Sequence, residues 1–168
     1  AFPDREVTVR TLDIGADKPA SYVRLRDHPN PALGVRGPRV ARRHLELLTD
    51  QLTAIATASR GSRARVRVMA PMVATTAEAA WFAAQCREHG VGTAGVMVEV
   101  PAAALRAADL LRVVDFVSVG SNDLAQYTFA TDREDGELAD LLDPWQPAFL
   151  DPVATVLRAG AVANRPVT

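Results

Sequence analysis

Short runs of β-branched apolar residues alternate along the chain with longer stretches whose apolar residues recur every three or four positions. That alternation predicts a parallel sheet wrapped by helices. Glu6 to Asp13 reads as a first strand, with Val7 and Val9 spaced by two. Arg39 to about Ser59 reads as a helix, because Leu45, Leu48, Leu52 and Ile55 fall on one face. Arg65 to Ala70 is a second strand ending at Pro71. Thr75 or Thr76 can cap the helix that follows, which runs to about His89 and stops at Gly90. Ala94 to Val100 is a third strand, apolar on both faces until Glu99. Pro101 then opens a helix to about Leu111, at a position where its missing N–H is tolerated. Asp115 to Val119 is a fourth strand, followed by the loop Gly120-Ser121-Asn122-Asp123. A short helix near Leu124 to Ala130 and a longer one from Ala148 to Ala163 follow, and Arg165 to Thr168 reads as the approach to a fifth strand.

Strands buried on both faces, each followed by a helix, fit either a (β/α)8 barrel or a doubly wound sheet. A complete barrel needs about 250 residues, and the chain has 168. The expectation is therefore an α/β fold, an incomplete fragment of a TIM-type barrel, with residues 1–168 forming part of a single domain cut at both ends. A half barrel leaves strand edges unpaired, which predicts self-association or low stability. The stretch from Gly15 to Pro38, rich in Gly and Pro, is too long for a routine connection and is expected to carry function.

Composition narrows the class. Apolar residues make up 48% and charged residues 23%, the balance of a globular protein. No apolar run approaches the ~20 residues that span a bilayer, and the opening residues form no signal segment; the expected location is cytoplasmic. The single cysteine, Cys86, excludes an internal disulfide and reads as packing inside a helix. A net charge of −1 gives no overall field toward nucleic acid or anionic lipid. Lys18 is the only lysine, so the other basic residues are arginines, whose planar fork suits phosphate and carboxylate.

In parallel α/β folds, ligands gather where strands end, and here those ends carry polar groups. The first strand gives Arg10 and Asp13, the third Glu99, the fourth Asn122 and Asp123, and Arg133 follows one short helix later. Glu99 closes the apolar run Gly95-Val96-Met97-Val98, and a carboxylate buried there needs a cation, an arginine or a proton. Asp123 lies one βα unit further on. Either the two carboxylates bracket a hard divalent cation, Mg²⁺ or Mn²⁺, or Glu99 pairs with an arginine and Asp123 caps the next helix. Arg10, Arg36 and Arg133, if their loops fold over the barrel mouth, would together suit an anionic ligand. His28, His44 and His89 have no spacing that suggests a metal site or dyad. Gly15-Ala16-Asp17-Lys18 lacks the pattern of a P-loop, though Lys18 can help hold an anion. Trp81 and Trp145 are expected to pack helices and loops.

Five segments in order carry a resemblance: VRTLDIGADKP (Val9 to Pro19), NPALGVRGPR (Asn30 to Arg39), VMAPMV (Val68 to Val73), GVMVEVPAA (Gly95 to Ala103) and DFVSVGSNDLAQYTFATDR (Asp115 to Arg133). Together they make the chain similar to the C-terminal phosphoenolpyruvate-binding domain of Enzyme I of the bacterial sugar phosphotransferase system. The resemblance implies a (β/α)8 barrel binding phosphoenolpyruvate and Mg²⁺. It implies Glu99 and Asp123 as metal ligands, Arg10, Asn122, Asp123 and Arg133 as substrate contacts, and Arg36 as a further arginine of the same site. It also implies a homodimer and two protein partners, namely a separate phosphohistidine domain that accepts the phosphoryl group and a small phosphocarrier protein that receives it next. That histidine, and the family's acid cysteine, have no counterpart among these residues, so no catalytic residue is assigned within the chain and the chain alone is expected to be inactive in transfer. A dikinase- or synthase-like enzyme of the same superfamily, and a non-catalytic phosphoenolpyruvate-binding or dimerisation module, are the alternatives. Neither nucleic acid nor membrane insertion is expected.

Overall fold

A computed structural model describes residues 3–18, 20–23 and 29–168; His28 lies outside these. Four strands, β1 (Glu6–Arg10), β2 (Arg65–Ala70), β3 (Ala94–Val98) and β4 (Phe116–Val119), pair in parallel in the order β1-β2-β3-β4. Parallel strands added in sequence order take right-handed crossovers as a rule, which sets the connecting helices on one face and curls the sheet toward the other. There is no reversal of strand order, hence no switch point of the doubly wound kind. The result is an α/β fold with a curled parallel half-barrel sheet of four strands, consistent with an incomplete TIM-type barrel. Beyond β4, Val167 bridges Val117 in parallel and Val119 N–H donates to Thr168 O at 2.7 Å, so the expected approach to a fifth strand does begin pairing.

Alternate strand residues separate two chemistries. Toward the helices, Val68, Ala70, Ala94, Val96, Val98 and Val117 join the main core with Leu48, Leu52, Phe82 and Leu110. The opposite face mixes polar and apolar groups, among them Thr8, Arg67 and Phe116. Arg67 donates through Nε to Thr8 Oγ1 at 2.7 Å, pairs with Glu6 at 2.8 Å and stacks 4.0 Å from the ring of Phe116.

The helices are α1 (Pro38–Arg43), α2 (Leu45–Arg60), α3 (Thr76–Glu88), α4 (Pro101–Leu105), α5 (Ala107–Leu110), α6 (Ser121–Phe129) and α7 (Pro147–Ala163). Several boundaries depart from the sequence pattern. β1 stops at Arg10 rather than Asp13, because Leu12 N–H leaves the ladder for Gln51 Oε1 at 2.8 Å. The helix expected from Arg39 to Ser59 breaks at His44, whose φ of −132° is not helical. The break serves two cores: Val40 packs with Ile14 and Val23, whereas Leu48, Leu52 and Ala56 pack on the sheet. Leu45, placed on the buried stripe by its spacing, is 45% exposed. β3 ends at Val98, the run to Leu111 divides at Arg106, and a 3-10 helix at Gly136–Leu142 was not foreseen. Trp81 packs against the core as expected, whereas Trp145 is 78% exposed. α6 opens three residues early: Leu124 N–H donates to Gly120 O at 3.0 Å, so Asn122 and Asp123 lie in a helical first turn and not in a loop.

Candidate functional site

Parallel pairing sets the C-terminal ends of all four strands along one edge, and the polar residues singled out from the sequence follow those ends. Arg10 is the last residue of β1, Glu99 follows β3, and Asp123 sits in the first turn after β4. The Glu99 side chain is almost fully buried. Its Oε1 accepts the Met72 N–H at 2.6 Å, from the turn after β2. That turn is unusual, since Met72 has φ of +56°, a left-handed backbone that an ordinary L residue adopts at a cost. Burial pushes the Glu99 carboxyl above its ordinary range; the Met72 hydrogen bond opposes this, while Asp123 and Asp13 nearby add to it and Arg10 opposes. Asp123 is also buried, with Oδ2 3.4 Å from Arg133 Nη1 and Oδ1 accepting no hydrogen bond.

A second carboxylate organises the cations. Asp13, its side chain 2% exposed, lies 3.5 Å from Arg10, 3.3 Å from Lys18 and 3.3 Å from Arg36. Arg36 is wholly interior. Its Nη1 donates to Tyr127 Oη at 2.8 Å and to Ala32 O at 3.3 Å, and lies 3.4 Å from Asp17 and 3.9 Å from Asp123. Tyr127 Oη in turn donates to Ala32 O at 2.5 Å. Burial alone would lower the Arg36 pKa, but Asp13, Tyr127, Asp17 and Asp123 outweigh it and raise it, so the guanidinium stays charged. Arg36 therefore holds the carboxylates in register, whereas Arg10, Lys18 and Arg133 keep 43%, 37% and 30% of their side chains exposed at the edge. Asn122 is exposed one residue before Asp123 and lines a pocket of about 230 Å³ with Arg133, Ser121 and Phe149.

The sequence pattern of the PEP-binding domain of PEP-utilising enzymes matches residues 1–168. The chain belongs to that family. Over 166 residues it is 56% identical to a phosphoenolpyruvate-protein phosphotransferase of Streptomyces coelicolor, covering 98% of this chain and 30% of that protein. It is 41% identical to a multiphosphoryl transfer protein of Rhodobacter capsulatus, covering 94% of this chain and 20% of the relative. A phosphoenolpyruvate-protein phosphotransferase of Latilactobacillus sakei is 37% identical, over 92% of this chain and 29% of its own length. The chain thus spans less than a third of these relatives.

For a PEP-binding domain the cluster has a definite logic. Asp13, Asp17, Glu99 and Asp123 face Arg10, Lys18, Arg36 and Arg133. Among the described residues no group of three or more His, Cys, Asp or Glu is placed to hold a metal by itself. A donor set of two carboxylates does not suit zinc, but it fits Mg²⁺, which keeps waters and takes oxygens from its substrate. Asp123 Oδ1, buried with no hydrogen bond and only the distant Arg36 guanidinium as a charge partner among the described residues, beside the desolvated Glu99, is the feature that matches such an ion. The sequence marked Asp13 as a strand-end polar group without giving it a partner, and it did not single out Asp17 or Tyr127. Tyr127 stands four residues after Asp123, one helical turn along the same face, which was the available signal. His44 and His89 lie outside the cluster; they contact Glu46 and Gln85 O. Cys86 is in the core, its thiol pushed up to about 12 by burial. No helix among the described residues is long and apolar enough to cross a membrane.

Proposed function

We propose that the strand-end edge binds phosphoenolpyruvate with Mg²⁺ (or Mn²⁺), and that the chain is the substrate-binding part of a phosphoenolpyruvate–protein phosphotransferase. On this reading residues 1–168 are one portion of a single barrel domain in a longer, cytoplasmic, homodimeric enzyme. The observation that carries it is the charge arrangement: buried Glu99 and Asp123, the latter with an oxygen that accepts no hydrogen bond, beside the accessible cations Arg10, Lys18 and Arg133. The cluster is already close to neutral, so a multiply charged anion needs an added cation to enter it.

Glu99 and Asp123 would hold the metal, which supplies Lewis-acid stabilisation of charge on the substrate carboxylate and phosphate. Arg10 and Arg133 grip phosphate oxygens and hold the phosphorus toward an incoming nucleophile. Asn122 donates its side-chain amide to the same group, and Arg36 completes the positive wall from within while fixing Asp13 and Asp123. These residues act by positioning and charge neutralisation, the main levers in phosphoryl transfer. The acceptor is a histidine of a separate domain: its nitrogen forms a bond to phosphorus as the phosphorus–enol oxygen bond breaks. A small phosphocarrier protein is the next recipient. The 168-residue chain alone binds without transferring. Calorimetric titration with phosphoenolpyruvate, with and without Mg²⁺, tests this reading. Binding should require the metal and vanish in Glu99→Ala; binding indifferent to both would overturn it.

A further inference from the structure

Arg39 and Glu78 lie outside the cluster, yet they tie together the two loops that shape it. Glu78 belongs to the capping box of α3, where it accepts at Oε2 from Ala74 N–H at 2.8 Å and Thr75 N–H at 3.1 Å. Its other oxygen is committed elsewhere: Oε1 accepts from Arg39 Nε at 2.7 Å. Arg39 in turn donates through Nη1 to Gly34 O at 2.8 Å. One guanidinium therefore grips the loop that carries Arg36 and, through Glu78, the loop that follows β2. The two loops also touch directly. Gly37, at φ of +47°, packs so closely that a Cβ there would lie 2.7 Å from Pro71 O and 3.0 Å from Met72 Cβ. Met72 is the residue whose left-handed backbone aims its N–H at Glu99.

The local geometry makes the pair more than a surface ion pair. Glu78 is 7% exposed although it caps a helix at the rim, and burial of a carboxylate is tolerated only with its partners in place. Nothing in the capping box needs Arg39, because the box is closed by Thr75 and the two amides. We infer that Arg39 and Glu78 are a positioning pair for the phosphoenolpyruvate site: they hold the Gly34–Gly37 segment against Pro71–Met72, and thereby fix Arg36 and the Met72 N–H that orients Glu99. This rests on the function proposed above for its ligand arm, but its mechanical arm stands alone. The bidentate-style reach of Arg39, Nε to a side chain and Nη1 to a carbonyl, is not available to lysine.

The test compares the 168-residue chain with its Arg39→Ala, Arg39→Lys and Glu78→Gln variants by residue-resolved amide exchange and by NMR of arginine side chains. Arg39→Ala is the informative variant, since that side chain is 41% exposed and its removal leaves the helix cap intact. Exchange of the Met72 amide and of the Arg36 guanidinium protons should accelerate about tenfold or more, while Val96 and Val98 amides keep their protection. Arg39→Lys should resemble Arg39→Ala at these probes. In the second arm, phosphoenolpyruvate with Mg²⁺ should bind about tenfold more weakly to the folded variant. Unchanged Met72 and Arg36 signals would overturn the inference, and so would protection lost equally across the sheet, which marks a general stabiliser. Failure of the unaltered chain to bind phosphoenolpyruvate would instead refute the proposed function and leave the exchange result to judge the pair.

Discussion

Gly120 is the residue through which packing and chemistry can be separated most cleanly. It lies at the end of β4 with φ of −91°, so alanine brings no backbone strain there. What alanine brings is volume. Its Cβ would sit 2.6 Å from Glu99 Cβ, 2.7 Å from Glu99 Oε2 and 3.0 Å from Met97 Cγ. Carbon atoms rest about 3.5–4.0 Å apart, so the Glu99 side chain must retreat by about 1 Å. Its hydrogen bond to Met72 N–H, 2.6 Å long, lies on the far side of the carboxylate and cannot absorb such a shift unchanged. Overpacking of this kind costs about 1–3 kcal/mol. Gly120→Ala should therefore lower the urea midpoint by that free energy divided by the slope, with the slope unchanged. It should also weaken Mg²⁺-dependent phosphoenolpyruvate binding by about tenfold or more, a change worth about 1.4 kcal/mol per decade. Gly95→Ala is the matched control. Its Cβ would meet the Phe116 ring at 2.5 Å on the same sheet face, remote from the C-terminal strand ends that carry the site. It should destabilise comparably while the folded protein keeps its affinity. Equal affinity losses in both variants, or none in Gly120→Ala, would refute the reasoning.

Three further outcomes follow from the same geometry. Asp13→Asn leaves the buried Arg36 without its nearest charge partner and weakens the hold on Arg10 and Lys18. Urea unfolding should show a loss of about 3–5 kcal/mol, the range for removing one side of a buried pair. Glu78 is opposed by burial, yet its bonds from Arg39, Ala74 and Thr75 hold its folded pKa below the ordinary value of 4.5. Its stabilisation is then fully present above the unfolded pKa and is lost as pH falls through the folded one. Comparing acid unfolding of the chain with that of Glu78→Gln should show the unaltered chain losing its advantage only in that acidic window. Cys86, buried and raised to about 12, should resist thiol reagents at pH 8 until urea unfolds the chain, as followed by absorbance.

Much of the fold was legible because its signals were local. Val7 and Val9, and Val66 and Val68, stand two apart beside Thr8, Arg65 and Arg67, and short apolar runs around Val96 and Val117 mark the other two strands; the structure reproduces the cores of all four. Thr75 could be read as a cap from its place before an apolar run, and Gly90 as a stop. What escaped was set by contacts distant in sequence. The kink at His44 exists because Val40 and Leu48 answer to different cores, and the residues that define those cores, Ile14 and Val23 for one and Val68 and Val96 for the other, lie far along the chain from both. β1 ends early because Gln51, 39 residues away, captures the Leu12 amide. The candidate site shows the same division. Strand ends identified Arg10, Glu99 and Asp123 from position alone. That Asp13 gathers Arg10, Lys18 and Arg36, and that Arg36 turns inward to Tyr127, depends on loops meeting across the edge.

The central claim is that Glu99 and Asp123 together receive a divalent ion beside the substrate. The most direct measurement replaces Mg²⁺ with paramagnetic Mn²⁺ and records amide NMR spectra of the 168-residue chain with phosphoenolpyruvate present. Broadening should be strongest at Val100, Gly120 and Asn122, which flank the two carboxylates, and should disappear in Glu99→Gln. Broadening centred elsewhere, or persisting in that variant, would contradict the account.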